Sequence, residues 1–136
     1  MGAETPTDDA RPCILILDGD VLSRHAIAEY LRGCGYRVVE ATTSEELLAV
    51  LDHGTPLVDT ILFDLDAPGA VNGFALRALV REAYPGIDVI ATGSTQKAAK
   101  EAANLCEEGP ELARPYDPQL VIARIRRMQA RRDESE

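Results

Sequence analysis

Five times along this chain a short apolar run breaks off at polar residues, and each break is followed by a stretch with helical spacing. No other feature limits the fold as much. Cys13-Ile-Leu-Ile-Leu17 runs into Asp18-Gly-Asp20, and Tyr36-Arg-Val-Val-Glu40 alternates as a half-buried strand does. Residues 57–63 end at Asp64, and residues 87–91 run into Thr92-Gly-Ser. The weakest run, residues 111–113, leads into Arg114-Pro-Tyr. Between them lie helices. Leu22, Ala26, Ile27, Tyr30, Leu31 and Cys34 recur on one face, with Asp20 as N-cap and Gly35 as stop. Thr43 and Glu46 have capping-box spacing ahead of Leu47, Leu48 and Leu51, and Gly54 ends that helix. Phe74, Leu76, Leu79 and Val80 predict a third helix, stopped near Pro85. Residues 97–106 are Ala-rich and predict a fourth, and residues 118–131 a fifth. Its Arg-rich end suits a helix C-terminus, where cations offset the macrodipole.

The pattern is (βα)5. Strands alternating with helices of this length predict an α/β, doubly wound parallel sheet with helices on both faces. The right-handed crossover rule leaves few topologies for five strands. A chain of 136 residues makes one domain. Residues 1–12 are polar and acidic and read as a disordered leader, residues 13–131 as the folded domain, and residues 132–136 as a tail.

The net charge of −9 is uneven: residues 1–123 carry −11 and residues 124–136 carry +2. That balance opposes nonspecific nucleic-acid binding, which needs a basic footprint. No apolar stretch approaches the ~20 residues of a membrane span. Cys13, Cys34 and Cys106 are odd in number and far apart. They read as buried free thiols of a cytoplasmic protein, without a disulfide framework or zinc site.

Sites in open parallel sheets form just beyond the carboxyl ends of the strands. Asp18 and Asp20 follow the first strand, Asp64 and Asp66 the third, Thr92 the fourth and Arg114 the fifth. Acids, a hydroxyl and a cation converging on one edge point to phosphoryl or metal chemistry. Singly, Asp20 reads better as a helix cap, and Asp66 as a solvated loop residue. His25 and His53 read as solvated side chains.

Over about residues 13–128 the chain resembles the receiver domain of bacterial two-component response regulators. The carriers are Ile-Leu-Ile-Leu-Asp18, Ile-Leu-Phe-Asp64-Leu-Asp-Ala-Pro68, Thr92-Gly-Ser and Arg114-Pro-Tyr-Asp117. The resemblance implies a flavodoxin-like sheet of order 2-1-3-4-5 and a cis Arg114–Pro115 bond. It implies that Asp64 is the phosphoacceptor, taking its phosphoryl group from a sensor histidine kinase or histidine phosphotransferase. Thr92 would bond a phosphoryl oxygen, and Arg114 would supply the fixed cation. Mg²⁺ would be held by Asp18, Asp64 and the backbone carbonyl of Asp66. Output would be protein–protein binding without direct DNA contact, with homodimerisation left open.

Four features depart from the family pattern. Gly19 stands where receivers place a second acid, so Mg²⁺ binding should be weak. Arg114 replaces the usual Lys and is suited to pair with Asp64. Glu111 stands where an aromatic switch residue often sits. The loop Pro-Gly-Ala-Val-Asn-Gly73 is one residue longer than usual. A phospho-accepting receiver and a pseudo-receiver that binds without phosphate therefore stand side by side. A more distant alternative is a haloacid-dehalogenase-type phosphatase, suggested by Asp18-Gly-Asp20 and Asp64-Leu-Asp66, although the Gly-Thr that normally follows is missing from both.

Overall fold

A computed structural model describes residues 11–109 and 118–135. Four parallel strands form one sheet in the order β2-β1-β3-β4: β1 Cys13–Leu17, β2 Arg37–Ala41, β3 Thr60–Asp64 and β4 Asp88–Thr92. The helices are α1 Val21–Gly33, α2 Ser44–His53, α3 Gly73–Ala83, α4 Thr95–Glu107 and α5 Pro118–Ser135. The expected order holds over these four strands. The predicted fifth strand at 111–113 and the Arg114–Pro115 bond lie outside the described residues. The last helix continues past the expected Arg131.

The strand β1 explains the two-layer burial. All five of its residues are buried, as a central parallel strand covered on both faces requires. Ile14 and Ile16 join one core with Ile27, Leu31, Ala99, Ala102 and Ile125, contributed by α1, α4 and α5. Leu15 and Leu17 join the other with Leu47, Leu51, Leu76 and Val80, from α2 and α3. Each of these large side chains contributes about 1.5–3 kcal/mol on burial.

The helix starts follow the sequence signals. Asp20 accepts from the Leu22 amide, Thr43 from the Glu46 amide and Asn72 from the Ala75 amide. Gly54 closes α2 in the left-handed conformation. The third strand is shorter than residues 57–63 suggested, because Asp59 turns its carboxylate onto the Cys13 amide at 2.8 Å and Leu57 is left 77% exposed.

The expectation of three free thiols is corrected. Cys34 and Cys106 form a disulfide with Cα atoms 5.4 Å apart, and only Cys13 is free. The reason is tertiary. Cys34 caps α1, Cys106 lies in the last turn of α4, and the two helices pack side by side. The Tyr36 hydroxyl adds a 2.6 Å bond to the Leu105 carbonyl at the same place. Burial pushes the Cys13 thiol upward, which keeps it protonated.

Candidate functional site

The parallel register assembles the site. Leu17 pairs with Phe63, and Asp64 pairs with Thr92. The last residues of β3 and β4 are thus side by side, with Asp18 one step past the end of β1. Asp18, Asp20, Asp64, Asp66 and Thr92 all line one cavity of about 200 Å³. Thr92 is a cavity-lining residue and only 6% exposed. Ser94 and Thr95, at the start of α4, complete one wall. Arg114 and Glu111 lie outside the described residues.

Each acid has a distinct local role. Asp18 accepts from the Asp20 amide at 2.9 Å, and Asp64 accepts from the Asp66 amide at 3.0 Å. Both loops leaving the strands are therefore folded back on the acid that begins them. Asp20 is turned to the helix start, as its capping signal predicts. Its carboxylate takes the Leu22 amide, the Ser23 hydroxyl, the Gln129 amide at 2.9 Å and Arg132 at 3.4 Å.

A match to the family described as "Response regulator receiver domain" covers residues 14–126. This chain belongs to that family. A Bacillus subtilis relative, "Uncharacterized transcriptional regulatory protein YbdJ", is 27% identical over 85% of this chain and 49% of its own length. The chain thus spans about half of that relative. Among solved structures, the signal receiver domain of an HD domain-containing protein from Pseudomonas fluorescens superposes with a TM-score of 0.57 at 22% identity, covering 93% of this chain and 99% of that one. The receiver domain of Saccharomyces cerevisiae Ssk1, in its co-crystal with the histidine phosphotransfer protein Ypd1, gives a TM-score of 0.53 at 16% identity over 68% and 73%. These likenesses support the fold, and the family match displaces the phosphatase alternative.

Within this receiver the electrostatics are asymmetric. Burial pushes Asp18 up to about 6, and the neighbouring charges of Asp64 and Asp20 add to it against the Asp20 amide and Arg24. Asp20 goes the other way. Burial alone would raise it, but hydrogen bonds from Ser23, Gln129 and Leu22, with Arg132 nearby, hold it below its ordinary value. Glu40 is likewise held low by Arg24, His25 and Arg32 against its own burial. Asp18 thus carries chiefly the cost of its burial, to which the carboxylates of Asp64 and Asp20 add repulsion.

That repulsion is what a divalent cation relieves, and hard oxygen donors suit Mg²⁺, which needs only one or two carboxylates beside phosphate and water. Asp18 and Asp64 fit the role. Among the described residues no cluster of three His, Cys, Asp or Glu side chains is placed to hold a metal. Gly19 adds no side-chain donor beside Asp18.

Two residues that sequence reasoning missed brace the site. Arg24 donates from Nη1 to the Asp18 carbonyl and to Thr42, both at 3.0 Å, while its Nε reaches Glu40 at 3.1 Å. Gln129 reaches Asp20 across 109 residues of sequence. Arg24 is one turn past a recognisable cap, yet its targets at the ends of β1 and β2 come together only once the sheet has formed. No helix among the described residues is long and apolar enough to cross a membrane.

Proposed function

We propose that this receiver accepts a phosphoryl group on Asp64. The supporting observation is the register that sets Asp64 beside Thr92, with Asp18 facing the same cavity. A carboxylate oxygen of Asp64 attacks the phosphorus of a phosphohistidine. The O–P bond forms as the N–P bond breaks, and the departing imidazole nitrogen takes a proton. Two anions must approach each other, so positive charge has to be concentrated there. Asp18, Asp64 and the backbone carbonyl of Asp66 would hold Mg²⁺, which would supply part of it. Arg114, assigned from its place before Pro115, supplies the rest. Thr92 donates its hydroxyl to a phosphoryl oxygen.

The donor is a sensor histidine kinase or a histidine phosphotransfer protein. The pairing of Ypd1 with the Ssk1 receiver supplies the precedent for that partner class. Output is protein–protein binding. The test is intact mass after incubation with acetyl phosphate and Mg²⁺. Wild type should gain one phosphoryl group and Asp64→Asn none. Equal gain in both, or gain in neither, overturns the reading.

A pseudo-receiver that binds its partner without phosphate is the second reading. The acid missing at Gly19 favours it. Under the first reading, labelling is slow, because Gly19 leaves one acid fewer to draw in the cation.

A further inference from the structure

Asp18 follows β1 and Asp64 closes β3, and both line the cavity. A carbonyl at a strand end leaves the ladder and needs another partner. The Asp64 carbonyl finds one in its own turn, accepting from the Ala67 amide at 3.0 Å. The Asp18 carbonyl finds one in a side chain, accepting from Arg24 Nη1 at 3.0 Å. The Asp18 amide donates to the Ala41 carbonyl at 3.2 Å. Asp18 is thereby held on both sides of its Cα, at the amide by the end of β2 and at the carbonyl by α1.

The guanidinium is fixed in its turn. Its Nη1 also donates to Thr42 Oγ1 at 3.0 Å, and its Nε donates to Glu40 at 3.1 Å. Glu40 is steadied by Arg32 at 3.3 Å. The Arg24 side chain is 12% exposed. A planar fork makes these bonds from two nitrogens at a fixed angle, which a Lys ammonium cannot reproduce. One side chain thus joins α1, the end of β2 and the peptide that follows the acid. Charge and geometry pull in opposite directions here. A guanidinium beside a cation site repels the cation, so charge alone would weaken binding.

We propose that Arg24 is a positioning residue for the cation site: by gripping the Asp18 carbonyl, it sets the direction in which the Asp18 carboxylate enters the cavity. Groups that orient a metal ligand from behind are commonly worth about 10–100-fold in affinity. The proposal rests on the cation site of the reading above, and not on phosphoryl transfer.

The experiment titrates Mg²⁺ calorimetrically into wild type, Arg24→Met and Arg24→Lys, well below the melting temperature of each. Met keeps an unbranched stem and loses the charge. Lys keeps the charge and loses the fork. Both should bind Mg²⁺ about tenfold more weakly than wild type. Unchanged or tighter binding by Arg24→Met means that charge alone acts, and overturns the proposal. Full affinity in Arg24→Lys overturns it too, since a point charge would then do what is assigned to the fork. The pair Cys34→Ala and Cys106→Ala controls for general loosening, because it acts at the other end of α1. It should lower the melting temperature and leave Mg²⁺ affinity within about twofold of wild type. A loss there equal to that of Arg24→Met overturns the proposal. If Arg24→Met does not fold, Arg24→Lys decides alone. A wild type without saturable Mg²⁺ binding overturns the cation site and this proposal with it. Absent mass gain at Asp64, with the Arg24 differences intact, overturns the phosphoacceptor reading alone.

Discussion

Two walls of the fold flank this edge of the sheet, and they are built on different principles. On one side α1, α4 and α5 are joined by side chains: the Asp20 carboxylate gathers Ser23, Gln129 and Arg132, and Cys34–Cys106 locks the far ends of α1 and α4. On the other side the loop after β3 is fastened to α2 largely through backbone amides and carbonyls, meeting Ser44 and Glu45. The first wall depends on residues far apart in sequence. The second depends on a few positions, Gly69 and Pro68 above all, that let backbone approach backbone. A side-chain wall changes by degrees with substitution. A backbone wall tolerates most substitutions and fails at its glycines.

The largest expected effect is on the first wall. The disulfide closes a loop of 72 residues. Removing it by the pair Cys34→Ala and Cys106→Ala, or by reduction, should cost about 2–4 kcal/mol. Urea unfolding of oxidised and reduced protein reads this directly, and coincident curves would show that α4 docks on α1 without help.

On the second wall, Gly69→Ala should destabilise by about 1–3 kcal/mol, since its φ of 141° is open to glycine and a Cβ there meets Ser44. Ala70→Ser, in the same loop, should cost far less, because its contribution is a backbone amide. If Ala70→Ser costs as much as Gly69→Ala, the contrast between the walls is wrong. A smaller effect is expected at Gln129→Ala, about 0.5–1.5 kcal/mol for one bond to a carboxylate that keeps its other donors.

These contrasts also show what was legible in advance. Helix caps, the strand-end acids and the alternation were readable, because each depends on neighbours within a few residues or on a period. Asp20 as a cap is the clearest case. The disulfide was not readable, since it requires α1 and α4 to lie together across 72 residues. Gly19 was readable as a missing acid. The Asp59 carboxylate takes the Cys13 amide at the start of the third strand, a contact across 46 residues that apolar periodicity does not register.

The effect most informative for function concerns pH. The Asp18 carboxyl is pushed up to about 6 in the fold, against 3.8 for the ordinary side chain. A folded value above the unfolded one means the native state binds more protons between the two. The stabilisation this contributes is complete below about 3.8 and is lost as pH rises through about 6. Asp20 and Glu40, both held low, contribute with the opposite sign, strengthening the fold above their unfolded values and losing that as acid is added. Asp18→Asn should therefore remove a falling component from the stability profile between pH 4 and 7 and leave the acid limb in place. Mg²⁺ inverts the first component, because a cation needs the ionised carboxylate that low pH removes. Its affinity should fall by up to about tenfold for each pH unit below the Asp18 value, one proton being displaced per cation. Above that value it should level off. Calorimetric titration at several pH values measures the slope. A flat profile down to pH 5 would mean that Asp18 is not a ligand, and the cation site would then have to be built on Asp64 alone.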